Sequence, residues 1–548
     1  MNEDIFIGVD VGSRSVRAIA VGTNLQGRNG VVYGPAVVSV GVRNHRPEFY
    51  EQSSVEIWSA VCKAVANLVE QNNLDAKCVK GIGFDATCSL VIVGKPGCEL
   101  AASDDSKYDI VMWMDHRAKA EAEMINSTKR PRLNQVGGSV SPEMQLPKLK
   151  WLKRYRPTTF QQAEYFMDLA DFLTFSATGS TRRSLCTVVC KWLYSSESNQ
   201  WDESFLHEIG LSELCNSNCN VIGSKCVPPG SLIGGLLEKT AHEMKLTTDT
   251  VVAAGLIDAH AGALALFCGQ GKEIENVPCC ERLAIISGTS ACHMALSESA
   301  SLIRGVWGPY KGVIFDNLYV HEGGQSYVGP LLDQVIRMFG VGCLGSCGSM
   351  SDTKHLHEIA QQLCDKVSSE QLANNEYEFW NLARGVHVWP DYAGNRSPYS
   401  NPNIKGLIYG LVPELETEVS AKQPEVNFVR IYVAHLQALA LMSRMIIEKI
   451  NENKAEQIKT VVLCGGLQHN RMYVQSHADA TGIPVAVSQD CETVAIGSAM
   501  LADKAYNNGC SSKIELNLSV VKPNQDLKEL YDEKYDIFKK FGAFLDSL

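Results

Sequence analysis

The chain has 548 residues, of which 45% are hydrophobic and 20% charged, a balance that fits a folded globular protein and excludes a disordered or fibrous one. Its 50 Lys and Arg stand against 61 Asp and Glu, a net charge of −11 with no Lys/Arg block, which argues against a nucleic-acid partner. A phosphorylated ligand is still compatible, because a few local cations and backbone amides suffice to hold one.

That length leads us to expect two or more packed domains. Residues 1–4 are acidic and lack the basic and apolar regions of a signal peptide, and no apolar stretch approaches the roughly 18 residues of a membrane span. A cytoplasmic protein with reduced thiols and no membrane partner is therefore expected, and a homo-oligomer is left open. The 19 cysteines show no C-x-x-C pair. The closest spacings, Cys186/Cys190, Cys215/Cys219 and Cys343/Cys347, suit redox pairs or metal ligands, but small semi-apolar fillers are the favoured reading.

In chain order, residues 5–9 and 16–21 are β-branched apolar runs around Asp10-Val11-Gly12-Ser13-Arg14-Ser15, which predicts strand, turn, strand. Residues 55–69 have helical apolar spacing with Ser53 or Ser54 as cap, and residues 79–84 form a strand ending at Asp85-Ala86-Thr87. Residues 251–257 are an apolar run leading to Asp258. Residues 283–286, Ser287-Gly288-Thr289-Ser290 and residues 291–295 repeat the opening strand, turn, strand. Two copies half a chain apart predict two related α/β halves, with the boundary near 270–280. A long helix over 427–450, a buried strand over 459–464, the turn Gly465-Gly466 and a helical tail complete the second half.

The turns carry the chemistry. Asp10 at a strand end with Gly12, Ser13 and Arg14 in the turn suits a hydrated Mg²⁺ and a phosphate, although such a turn alone is more often a plain hairpin. Gly288, Thr289 and Ser290 form the matching turn, and Gly465-Gly466 with Asn470 permits close approach of an adenosine. Asp258 precedes a helix, so an N-cap and a proton-accepting carboxylate are both open to it. No P-loop sequence occurs. Gly340-Val341-Gly342-Cys343-Leu344-Gly345 matches a dinucleotide fingerprint, but it follows a helix and reads as a loop.

Taken together and in order, Gly8-Val9-Asp10-Val11-Gly12-Ser13, Trp113-Met114-Asp115-His116-Arg117-Ala118, Gly255-Leu256-Ile257-Asp258-Ala259-His260, Ser287-Gly288-Thr289-Ser290 and Cys464-Gly465-Gly466 resemble the FGGY family of carbohydrate kinases. Its ribulokinase-like branch is the nearest, through Phe84-Asp85-Ala86-Thr87, Cys190-Lys191-Trp192, His321-Glu322-Gly323-Gly324-Gln325 and Gly394-Asn395-Arg396. The resemblance implies an α/β fold of two ribonuclease-H-like, actin-like ATPase domains with the active site in the cleft between them. Residues 1–270 would be the sugar side, and 271–548 the ATP side with a helical extension.

The same resemblance implies Asp258 as the base on the sugar hydroxyl and Asp10 as the Mg²⁺ organiser. ATP would lie on Gly12, Ser13, Arg14, Gly288, Thr289, Ser290, Gln325, Gly465, Gly466 and Asn470. The sugar would meet Ala86, Thr87, Lys191, Glu322 and Asp258. Bland alternatives stand beside these: a surface cation–π contact for Lys191 with Trp192, a turn start for Glu322, and a structural ion network for Asp115-His116-Arg117. The activity implied is ATP-dependent phosphorylation of a ketopentose, D-ribulose first. L-ribulose, xylulose or a pentitol is the alternative substrate, and a non-catalytic ATP-binding scaffold the alternative class.

Overall fold

The computed structural model describes residues 3–23, 29–95, 97–340, 353–371, 376–411, 423–490, 492–510 and 514–548. The glycine run at 341–345, Cys343 and Cys347 lie outside them. In the first half, β1 (Asp4–Val11), β2 (Ser15–Thr23) and β3 (Asn29–Ser39) form an antiparallel meander. Strand β1 is buried from Ile5 to Val11, as expected where helices cover both faces of a sheet. Helix α1 (Ser54–Gln71) starts at Ser53, whose hydroxyl accepts the Glu56 amide at 3.4 Å. Its Ile57, Val61, Val65 and Leu68 recur at helical spacing and pack into the core with Val16 and Ala18. Strand β4 (Val79–Ala86) then lies parallel beside β1.

Helix α2 (Leu185–Trp192) precedes β5 (Leu232–Gly235), β6 (Val251–Ala253), β7 (Leu256–Ile257) and α3 (Asp258–Cys268). The apolar run over 251–257 is thus two short strands, with a break where Gly255 presses on β4: a Cβ there would stand 2.6 Å from the Phe84 carbonyl oxygen. The first sheet has the order β5-β6-β4-β1-β2-β3, with β7 also paired to β4. A separate antiparallel sheet, including Phe49–Gln52, Leu90–Gly94 and Ala163–Asp168, is inserted into this half.

The second half contains β8 (Arg282–Ser287), β9 (Ala291–Ser297), β10 (Trp307–Lys311), β11 (Tyr319–Gln325) and α4 (Gly329–Phe339). It continues with α5 (Gln423–Asn451), β12 (Thr460–Cys464), α6 (Arg471–Thr481), β13 (Val485–Ser488), α7 (Thr493–Tyr506), β14 (Leu518–Val521) and α8 (Lys528–Asp546). Its sheet order is β10-β11-β9-β8-β12-β13-β14. In both sheets three antiparallel strands, β1-β2-β3 and β8-β9-β11, are extended by a parallel strand on the first member, β4 on β1 and β12 on β8. The repeat of fold expected from the two turns is present.

Two helices cross between the halves. Helix α7, late in the chain, lies on β1 and β4 of the first sheet, and α3 packs on β8 of the second. They meet closely, since a Cβ on Gly497 of α7 would stand 2.0 Å from the Ala261 carbonyl oxygen of α3. Among the described residues, α5 alone is long and apolar enough to cross a membrane, but 78% of that stretch is buried. It is the central helix of the second core, with Tyr432, Leu436 and Leu439 enclosed. Helix α8 docks there by stacking Phe538 on Trp389 at 4.4 Å between centroids.

Candidate functional site

Three carboxylates converge because strand register aligns them. Asp10 of β1 pairs with Asp85 of β4, and β7 pairs Ile257 with Ala86, so Asp258 follows directly at the same end of the sheet. Arg17 is paired with Asp10 across the hairpin and reaches Asp10 Oδ2 with Nη1 at 3.4 Å. Burial raises the Asp10 pKa, with Arg17 opposing. Asp85 is fully buried, accepts the Ser498 hydroxyl of α7 at 2.7 Å, and keeps Oδ1 without a partner. Burial, then the Asp10 charge, lifts its pKa well above the usual carboxylate range.

Asp258 is the first residue of α3 and does not cap it; Ile257 occupies the N-cap position. Its Oδ1 accepts the Ala259 amide at 2.7 Å. Burial first and the Asp10 charge second push its pKa up to about 6. An acid so placed is ionised at neutral pH and still basic enough to take a proton, as general bases require.

These groups open into a cavity of about 420 Å³ between the two halves, where Asp10, Thr87, Lys191, Asp258 and Glu322 share one wall system with Gly288, Thr289 and Ser290. Lys191 is buried and its Nζ stands 4.0 Å from Glu322 Oε1. Burial depresses this ammonium most strongly of any single cause, but the facing groups together, Glu322 foremost, more than offset it and raise the pKa. The cation–π partner of Lys191 is Trp307, 4.6 Å from the ring centroid, and not its sequence neighbour Trp192, which is buried under Arg183.

Among the cavity residues not singled out from the sequence as site residues are Trp113, Glu143, Trp307 and Arg396. Glu143 Oε1 lies 3.1 Å from His116 Nε2, and Oε2 lies 3.7 Å from Arg396 Nη2. Burial opposes its ionisation, yet His116 and Arg396 hold its pKa down to about 2. Trp113 Nε1 donates to Ser13 Oγ at 2.9 Å, which joins the first turn to the Trp113-Met114-Asp115 stretch. That stretch divides in use. Asp115 and Arg117 form a buried structural network with Glu51, whereas His116 turns to Glu143.

The two glycine turns face the cavity from opposite halves. Gly288 donates its amide to Ser290 O at 2.9 Å, and its own carbonyl accepts the Gly329 amide at the start of α4. A Cβ at Gly288 would meet nothing within 4 Å, which leaves its backbone open to a ligand. Strand β12 runs beside β8 with Cys464 opposite Ile286, so Gly465 and Gly466 follow next to Ser287. Gly465 has φ 97°, and a Cβ there would stand 2.3 Å from the Ser287 carbonyl oxygen, so only glycine fits.

Some expected positions lie elsewhere. Gln325 is three residues from Glu322 on the same strand and so points to the opposite face; its Nε2 donates to Leu439 O at 3.1 Å and to Ser443 Oγ at 3.2 Å under α5. Asn470 caps α6 by accepting the Met472 and Tyr473 amides, and its Nδ2 donates to the Tyr432 hydroxyl. Arg14 is exposed, and the cation lining the cavity near Asp10 is Arg17. Ala86 is buried at the end of β4, with Thr87 reaching the cavity in its place. Register across the first hairpin, which pairs Arg17 with Asp10, was the signal that could have found Arg17.

Comparison with known proteins agrees with this layout. Residues 5–265 match the N-terminal domain of the FGGY family of carbohydrate kinases, and residues 283–506 match its C-terminal domain. The chain is 40% identical over 547 residues to an FGGY carbohydrate kinase domain-containing protein of Danio rerio, covering 97% of this chain and 96% of that protein. It is 32% identical to a D-ribulokinase of Saccharomyces cerevisiae, covering 98% of this chain and 77% of that one. Among solved structures, a xylulose kinase from Rhodospirillum rubrum superposes with a TM-score of 0.75 at 17% identity over 99% of both chains, a likeness of fold.

Proposed function

The chain belongs to the FGGY family of carbohydrate kinases and is an ATP-dependent sugar kinase, and from that premise we propose that it phosphorylates a ketopentose at its terminal hydroxyl, D-ribulose first. The observation that carries this reading is the meeting of Asp258 with the Lys191–Glu322 pair in one cavity of about 420 Å³. A ketose needs a cation near its carbonyl oxygen and acceptors for its hydroxyls. Lys191 and Arg396 supply the first, and Glu322 and Glu143 the second. The Saccharomyces cerevisiae relative, a D-ribulokinase, supports the same substrate class.

In this reading Asp258 accepts the proton of the attacking hydroxyl as that oxygen approaches the γ-phosphoryl group in line. Gly12, Ser13, Gly288, Thr289 and Ser290 hold the phosphates through backbone amides and hydroxyls. Gly465 and Gly466 receive the adenosine, and Asn470 acts by capping α6 below them. The donor set fits a divalent cation, since Asp10 and Asp258 line one cavity and the Asp10 charge raises the Asp258 pKa. Asp10 would hold Mg²⁺, which when bound supplies charge neutralisation for the phosphates, and Asp258 is left to take the proton. Closure of the halves about the crossing helices α3 and α7 would exclude water from the transfer.

The test is phosphoryl transfer from ATP to a panel of ketopentoses, aldopentoses and pentitols, with Asp258→Asn as control. Turnover with D-ribulose and its loss in the variant are expected. Turnover with a pentitol but no ketopentose would overturn the assignment of Lys191 and Arg396 to a carbonyl oxygen.

A further inference from the structure

Helix α2 supplies Lys191 to the sugar cavity, and its thiols meet a neighbour that the kinase reaction leaves unused. Cys186 and Cys190 are four residues apart on α2 and therefore share one face. Their sulfurs and a ring nitrogen of His260, in the first turn of α3, all lie within 4.8 Å of one another, and all three residues are buried. Cys190 Sγ is 3.4 Å from His260 Nε2. Glu322 Oε2 stands 4.0 Å from the same nitrogen.

The polar atoms around this cluster are poorly served. Glu322 Oε2, His260 Nδ1 and the Tyr310 hydroxyl are all buried without a hydrogen-bond partner. Most buried polar side-chain atoms in folded proteins have one, so the orphan Glu322 carboxylate oxygen, 4.0 Å from His260 Nε2, calls for a ligand. From this geometry we propose that Cys186, Cys190 and His260 form a soft-metal site for Zn²⁺, with Glu322 Oε2 as the fourth ligand. Two thiolates, an imidazole and a carboxylate are all established zinc donors. With Zn–S about 2.3 Å and Zn–N about 2.0 Å, tetrahedral ligand atoms sit roughly 3.5–3.8 Å apart, so side-chain closure of about 1 Å brings the two cysteines and His260 to metal distance, and Glu322, which lies outside that cluster, turns in further to complete it. Sulfur donors select Zn²⁺ over Mg²⁺, which prefers oxygen, so the magnesium of the reaction is no competitor.

The other metal-like cluster, His45, Glu51 and Asp104, differs in kind. Arg43 Nη1 sits between its carboxylates at 3.0 Å and 2.9 Å, so that group is already neutralised as an ion network. Among the described residues no such ion pair neutralises Cys186 and Cys190, and Lys191 on the same helix is engaged by Glu322. Occupation would draw Glu322 from Lys191 and thereby disable sugar binding. This consequence rests on the sugar reading of Glu322 given above, whereas metal binding does not.

The experiment titrates metal-free full-length protein with Zn²⁺ against a chromogenic chelator, and with Co²⁺ for a thiolate-to-cobalt charge-transfer band. One tight equivalent and the band are expected in the native chain, both lost in Cys186→Ala/Cys190→Ala. Cys190→Ser and His260→Gln, made separately, should each lose the tight equivalent while still binding ATP. A native chain with no tight equivalent, or any variant that retains it, overturns the site. Kinase assays in excess Mg²⁺ should show Zn²⁺ raising KM for the sugar without changing ATP binding. A tight equivalent bound without that rise would overturn Glu322 as fourth ligand while leaving the three-residue site intact.

Discussion

Replacing Asp258 by Asn should produce a protein that is inactive and yet more stable than the native chain. Burial and the Asp10 charge push the Asp258 pKa from 3.8 up to about 6. A carboxyl whose pKa is higher in the folded than in the unfolded state binds its proton more tightly when folded. Its ionisation therefore costs stability as pH rises from about 4, and the cost is complete above about pH 6. A shift of about two units corresponds to about 3 kcal/mol, an upper value because the carboxylate lines a cavity. Asn keeps the oxygen that accepts the Ala259 amide and removes the charge. Urea unfolding without nucleotide or metal should show the variant more stable by up to about 3 kcal/mol near about pH 7.5, and by about half of that near about pH 5. A variant less stable than the native chain, or a gain equal at both pH values, would refute a carboxylate held out of its preferred state by burial and repulsion.

Other consequences follow from the same geometry. The acid limb of kcat/KM should fall about tenfold per pH unit below about 6, as Asp258 becomes protonated, and a flat profile down to about pH 5 would contradict its role. Glu322→Gln removes the charge facing Lys191 Nζ at 4.0 Å, and should raise KM for the sugar by about 10- to 100-fold while ATP affinity measured by calorimetry is unchanged. Gly497→Ala would place a methyl group 2.0 Å from the Ala261 carbonyl oxygen and force α3 from α7; urea unfolding should register a loss of about 1–3 kcal/mol.

Much of this arrangement was legible in local sequence because its determinants are local. Strand, turn, strand repeated at 5–21 and 283–295 is a pattern of β-branched runs broken by Gly and Ser, and the two meanders stand where it predicted them. Asp10 and Asp258 end or follow apolar runs and lie together in the cavity. Glu143 and Arg396 were not legible as a pair, since 253 positions separate them and neither sits in a periodic pattern. Gln325 shows the opposite failure. It lies close to Glu322 in sequence, but the two-residue period of a strand sends it to the other face and into the α5 network. The crossing of α3 and α7 was likewise hidden, because nothing in either helix states which sheet it will cover. The net charge of −11 acquires a local meaning as well: in the proposed reading an anionic nucleotide would meet a cavity lined by Arg17, Lys191 and Arg396.

The central claim is that Asp258 takes the proton of a sugar hydroxyl during phosphoryl transfer from ATP. Steady-state and single-turnover assays of native and Asp258→Asn protein with D-ribulose, ATP and Mg²⁺ test it directly. D-ribulose phosphate from the native enzyme and a fall in kcat of about 10² to 10⁴ in the variant, with ATP binding retained, are expected. Undiminished turnover by Asp258→Asn would contradict it.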